Sequence, residues 1–325
     1  MAEQEQAGDV RLARLTVTVA RPEWGGAATI HGKQWQRAAW AGRPADEVRQ
    51  VVFLPGACAD MAPRAPGALL AAAARRETPL AVTTLDLPEY AGSRLPPGWG
   101  ARIARAGSLI DDALLLQAVL DRVVPEPYTL VGWSNGGNLA AIMAAVAPER
   151  VQGLVLCMPA GLFDQPVIGH LVPQFALTLL ETVLAPADRQ AVLNGDPLGR
   201  SRDMLLGMAR LPELLPVVRL LARANAVPFA ARVRCPVTVV LGRHDRVFDR
   251  LIDMNERGEL VGLFAASPVV RVQILEDANH NGFAAHAAEV APLILDTPSA
   301  VPAAFGANGA RPPVRVGTVG VDIAG

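Results

Sequence analysis

Hydrophobic positions along the chain change period several times, and the changes mark its elements. From Arg11 to Ala20 the β-branched residues Thr16, Val17, Thr18 and Val19 alternate polar with apolar, and Ala27 to Ala39 follows a Gly25-Gly26 turn as a second strand-like run. Two such runs joined by a glycine turn predict an antiparallel pair of strands. After Asp46 the pattern becomes continuous. Val51-Val52-Phe53-Leu54 ends in Pro55-Gly56, which suits a strand buried on both faces of a parallel sheet. Ala65 to Arg76 reads as helix, Leu80 to Leu87 as strand and Ser108 to Val124 as helix. In this second helix Ile110, Ala113, Leu114, Leu116, Val119 and Leu120 recur at helical spacing. Ser108 is placed to cap it, and Asp111-Asp112 suit its first turn. Tyr128 to Val131 predicts a strand, Asn138 to Ala147 an Ala-rich helix and Val151 to Met158 a strand. Strand and helix in alternation imply right-handed crossovers and a mostly parallel α/β sheet.

The alternation stops at Leu162. Up to Arg232 there are helical patches broken by Pro173, Pro186, Pro197, Pro212 and Pro216, a stretch too long for a plain loop. The sheet pattern resumes with the strand Val237 to Leu241, the helical stretch Leu251 to Leu263, the strand Val269 to Leu275 and the helix Ala284 to Leu295. The expected organisation is therefore an α/β core from residues 10–161 and 233–296, with a helical insert over 162–232. Residues 297–325, rich in Pro, Gly, Ala and Val, are expected to be a poorly ordered or loosely attached tail. No internal repeat is visible.

Composition narrows the function classes. About half of the 325 residues are apolar, enough for a substantial core, and the net charge is −1, which does not point to a nucleic-acid partner. No uncharged apolar run is long enough to span a bilayer, and Met1 to Asp9 lacks the basic and apolar regions of a secretory signal. Cys58, Cys157 and Cys235 form neither a disulfide framework nor a zinc spacing. A cytoplasmic location is the expectation.

The chemistry concentrates at predicted strand ends. Ser134 lies in Gly132-Trp133-Ser134-Asn135-Gly136, between a strand and a helix. A serine hydroxyl needs a base to become a nucleophile, and a tight strand-to-helix turn needs glycine where backbones nearly touch. His280, in Asp277-Ala278-Asn279-His280-Asn281-Gly282, follows the last strand, where a base could reach the sheet's carboxyl edge. Taken alone, such a loop histidine is usually an ordinary solvated residue. Asp245, in Gly242-Arg243-His244-Asp245-Arg246, follows the strand before and could orient the imidazole. It could equally be a turn residue, or pair with Arg243 or Arg246, and Asp164 is a rival acid. An oxyanion needs preorganised donors. Asn135 would supply one N–H, and Ala57 the other, with Cys58 as second choice.

With these motifs in order, the chain resembles the α/β-hydrolase superfamily over Val51 to Leu295. Gly132-Trp133-Ser134-Asn135-Gly136 matches its nucleophile elbow, Gly242-Arg243-His244-Asp245 its acid site and Ala278-Asn279-His280 its histidine loop. Asp86-Leu87-Pro88-Glu89-Tyr90 resembles a turn that is structural in that family. The resemblance implies an α/β-hydrolase fold with a helical cap over 162–232. The chain departs from many relatives at Pro55-Gly56, where they carry His-Gly, and at Asn279, where Gly is common. Asn tolerates the left-handed backbone Gly would supply. Ser at the nucleophile position argues against the carboxylate-nucleophile epoxide and haloalkane hydrolases.

The expected function is a serine hydrolase cleaving an ester, thioester or related acyl bond of a fairly hydrophobic small molecule. Ser134, His280 and Asp245 would form the triad, and no metal or organic cofactor is implied. The alternatives are a non-hydrolytic eliminase, lyase or acyltransferase on the same scaffold, and a non-catalytic binding protein that kept the fold. The sequence leaves substrate and oligomeric state open.

Overall fold

The computed structural model describes residues 4–7, 9–56, 64–88, 92–124, 126–174, 176–177, 217–280, 282 and 286–297. They build a nine-stranded sheet: β1 (Gln4–Ala7), β2 (Val10–Arg21), β3 (Gly26–Arg37), β4 (Arg49–Leu54), β5 (Leu80–Leu85), β6 (Tyr128–Trp133), β7 (Val151–Cys157), β8 (Val237–Gly242) and β9 (Val270–Leu275). The spatial order is β1-β2-β3-β5-β4-β6-β7-β8-β9. The six strands from β5 to β9 along this order run parallel, while β1, β2 and β3 add an antiparallel ribbon on β5.

Both faces of the inner parallel strands β4 to β8 are buried, as their continuous apolar runs require, while the edge strand β9 alternates half-buried and exposed residues. Side chains alternate across a strand, so β4 sends Val52 and Leu54 into one core and Val51 and Phe53 into the other. The first core lies under α3 (Ile110–Val123) and α4 (Asn135–Val146), with Leu116, Val119, Leu139 and Ile142 among its buried side chains. The second lies under α1 (Arg64–Arg75) and a C-terminal helix over Ala287–Asp296, with Leu69, Ala73, Val290 and Ile294. Those two helices pack against each other. No helix among the described residues is long and apolar enough to cross a membrane.

Five expectations shift. α4 begins at Asn135, three residues before the predicted start, because its first turn runs through Gly136-Gly137, which propensity discounts. Ser108 is not the cap of α3: the N-cap is Leu109, with no side-chain cap bond. The first-turn acids of α3 are instead engaged from α2 (Trp99–Ala106), a helix the apolar pattern did not announce. Trp99 Nε1–H donates to Asp112 at 2.6 Å, and the Arg102 guanidinium lies 2.9 Å from Asp111. β1 was also unannounced; its sequence Gln-Glu-Gln-Ala shows no apolar alternation because an edge strand is held by main-chain pairing with β2. The helical stretch after β8 resolves into α6 (Arg250–Glu256) and α7 (Glu259–Gly262), after the short α5 (Val227–Ala230); the C-terminal helix is α8.

The edges of the expected insert are described on both sides. Gln165 N–H donates to the Ala222 carbonyl, and Ala226 N–H to that of Gly161, so the outgoing and returning chain are joined. Residues 178–216 lie outside the described residues, as do those of the tail beyond Thr297.

Candidate active site

The sheet order dictates where a site can form. From β4 the chain crosses to β5 on one side, and from β6 it crosses to β7 on the other. Connections that leave neighbouring strands in opposite directions open a crevice at their carboxyl ends. The segments ending β4 and β6 are Leu54-Pro55-Gly56 and Trp133-Ser134.

Ser134 sits at the turn from β6 into α4 with φ 54° and ψ −118°, a backbone conformation that costs a non-glycine residue free energy and marks functional turns. The turn closes only because its flanks lack side chains. A Cβ on Gly136 would lie 2.2 Å from the Leu54 carbonyl oxygen, and one on Gly132 would lie 2.3 Å from that of Gly136. The strained peptide is tied down at both ends. Ser134 N–H donates to the Cys157 carbonyl at 3.0 Å, and the Ser134 carbonyl accepts from Gly137 and Ala160 N–H groups.

Three residues far apart in sequence meet here. His280 Nε2 is 3.0 Å from Ser134 Oγ, and His280 Nδ1 is 2.9 Å from Asp245 Oδ2. A carboxylate only accepts, so Nδ1 carries a proton; in the neutral ring Nε2 then accepts from the serine hydroxyl. This is an arrangement in which a proton can pass from hydroxyl to ring while the carboxylate stabilises the resulting cation. All three side chains are buried, with Ser134 3% and His280 1% exposed. The other Asp245 oxygen accepts from the Val247 and Phe248 N–H groups at 2.9 and 3.1 Å, which fixes the carboxylate.

Asp245 is thus both a turn residue bonded to the backbone just beyond it and the partner of His280. Arg243 pairs with Glu276, at 2.9 Å, rather than with Asp245. Asp164 is exposed and accepts from Ala224 N–H where the insert returns. His31 bonds Thr16 in the β2–β3 hairpin, His170 faces Asp249, and His286 bonds Glu289. Asn135 is the first residue of α4, immediately after Ser134. Ala57 and Cys58 lie outside the described residues. Cys157 ends β7, and burial alone pushes its thiol well above the ordinary range; Cys235 is pushed up to about 12 for the same reason.

Two aromatic residues flank the imidazole that the motifs did not single out. Phe248 meets the His280 ring edge to face at 5.1 Å, and Trp133 lies tilted at 5.9 Å. Phe248 in turn packs against Phe163, the first aromatic residue beyond β7. Only their positions next to Ser134 and Asp245 could have drawn attention to them.

Comparison with known proteins bears on the fold family. The family described as alpha/beta hydrolase fold matches residues 50–287. A pimeloyl-acyl-carrier-protein methyl ester esterase from Chromobacterium violaceum is 29% identical over 184 residues, covering 52% of this chain and 67% of that protein. The dihydrolipoyllysine-residue acetyltransferase component of an acetoin cleaving system from Pseudomonas putida is 30% identical over 202 residues, covering 61% of this chain; the chain spans about half, 51%, of that relative. Among solved structures, the enol-lactonase from Burkholderia xenovorans LB400 superposes with a TM-score of 0.59 over 83% of this chain and 96% of its own, at 17% identity, a likeness of fold.

Proposed function

The chain belongs to the α/β-hydrolase fold family, and on that premise we propose that it is a serine hydrolase that cleaves an ester, thioester or related acyl bond of a small molecule. Ser134 attacks the carbonyl carbon, and His280 accepts its proton and returns it to the leaving group. Asp245 holds the ring tautomer and stabilises the imidazolium. The N–H of Asn135, at the positive end of α4, receives the developing oxyanion, with Ala57 as the second donor. Water then repeats the sequence on the acyl-enzyme.

The observation that carries the reading is the buried hydrogen-bonded chain Ser134–His280–Asp245, at 3.0 and 2.9 Å. An ester is favoured as the substrate class because the Chromobacterium relative is named as a methyl ester esterase. A fairly hydrophobic acyl group fits the insert 162–232, read as a cap, whose described flanks bury Leu171, Val217, Leu220 and Leu221.

A panel of acyl esters and thioesters of graded chain length, run in oxygen-18 water with Ser134→Ala as control, tests the proposal. Hydrolysis places the heavy oxygen in the acid product, and the variant loses activity. A product formed without solvent oxygen assigns the site to elimination or acyl transfer instead.

A further inference from the structure

The base in this site sits on a loop that follows an edge strand, and such loops move more readily than the core. Yet a nucleophile and base must keep their spacing to within a fraction of an ångström, because small misplacements cost large factors in rate. The structure shows what holds the loop. His244 N–H, on the acid loop, donates to the Ala278 carbonyl at 2.9 Å. Trp133 Nε1–H, on the nucleophile turn, donates to the His280 carbonyl at 3.0 Å, across 147 positions of sequence. Each of the two loops that bond the imidazole ring therefore also grips the main chain beneath it.

Trp133 does more than donate one bond. Its ring lies against the imidazole, and a Cβ on Gly56 would be 3.2 Å from two of its atoms and 3.3 Å from Ser134 Cβ. One side chain thus touches the end of β4, where the oxyanion loop starts, and the histidine loop, while its own backbone immediately precedes the nucleophile. The indole is rigid and bicyclic, so a change in any of these three segments is passed to the others through a body with few degrees of freedom.

We infer that Trp133 is a positioning residue: its indole N–H holds the His280 carbonyl so that the imidazole Nε2 stays in hydrogen-bond reach of Ser134 Oγ. The inference rests on the nucleophile reading of Ser134. Loss of the N–H leaves the ring wall in place but lets the histidine loop drift, so the chemical step slows while binding does not change.

The test replaces Trp133 with β-(3-benzothienyl)alanine, which keeps the bicyclic shape and lacks the N–H, alongside Trp133→Phe. Saturation kinetics of labelling by a fluorophosphonate probe separate the limiting rate from the half-saturating concentration, per folded molecule. The limiting rate is expected to fall roughly tenfold, the loss of one hydrogen bond plus misplacement, with half-saturation unchanged. A benzothienyl variant labelled as fast as wild type overturns the inference, whatever its melting temperature. A wild-type chain never labelled at Ser134 overturns the nucleophile reading itself, which keeps the two failures distinct.

Discussion

At the scale of single residues, the Ser134 turn depends on contacts too close to tolerate change. Gly136 is the sharpest case, because the atoms a Cβ would meet are the backbone oxygens of Leu54 and Pro55, at 2.2 and 2.4 Å, which cannot swing away. Gly136→Ala should abolish soluble, cooperatively folding protein, whereas Gly67→Ala, in α1 with nothing within 4 Å, should raise stability by about 0.5–1 kcal/mol in urea denaturation. Asp245 offers a purely chemical change. Asp245→Asn keeps the shape but favours the wrong imidazole tautomer, so acyl-ester turnover should fall by about 10³–10⁴-fold with the fold intact by circular dichroism. Cys157 and Cys235 are buried with raised pKa values, so neither should react with iodoacetamide in the native protein, and both should react in denaturant. Native alkylation at either would place that sulfur at a surface the structure does not give it.

At the scale of elements, α8 matters because it begins a few residues after His280 and closes one face of the sheet. Its last turn is held by Arg49, at the start of β4, whose guanidinium donates to the carbonyls of Leu295, Ile294 and Thr297 and to Thr129 Oγ1. A cation at a helix C-terminus also meets the negative end of the helix dipole. Arg49→Met should therefore cost about 2 kcal/mol of unfolding free energy. A second tie, Arg76 to Asp296, joins α1 to the same end at 2.6 Å but is exposed. The hydrogen bond from Arg76 lowers the Asp296 pKa in the folded state. Its stabilisation is thus present above the ordinary aspartate value of about 4 and lost as pH falls through the lower folded value. The stability gap between wild type and Arg76→Ala should be small at neutral pH, vanish in acid and shrink with salt.

The elements also show what the sequence could and could not reveal. β4 and β6–β8 were legible because burial on both faces leaves a continuous apolar run. β2 and β3 were legible because Thr and Val alternate along β2 and a glycine turn joins it to a second strand-like run. α2 was missed because it buries only Trp99 and Ile103, too few for a period to register, and β1 because main-chain pairing leaves no mark on side-chain chemistry. The start of α4 was misplaced because glycines that the tight turn demands are poor helix formers. Around the site, Ser134, Asp245 and His280 could be found from strand ends and order. Trp133 and Phe248 could not, since their contact with the imidazole is made only once the segments after β6, β8 and β9 meet at one edge of the sheet.

At the scale of the whole molecule, the crossover reversal between β4 and β6 brings Pro55-Gly56 and the Ser134 turn to one crevice, and the segments after β8 and β9 deliver Asp245 and His280 to the same edge. The ribbon β1–β3 plays a different part. It covers the edge of β5 and contributes Val17, Val19, Ile30 and Trp35 to the two cores. Deleting residues 1–38 should bare that edge and yield aggregated protein rather than a smaller enzyme.

On the proposed function, Ser134 becomes covalently acylated during turnover. Rapid-quench mass spectrometry of the intact chain with p-nitrophenyl butyrate tests it directly. The expected result is a butyryl adduct, mapped to the Ser134 peptide, that forms in step with nitrophenolate release and is absent from Ser134→Ala. Nitrophenolate released equally fast by Ser134→Ala, or an adduct on another residue, would contradict it.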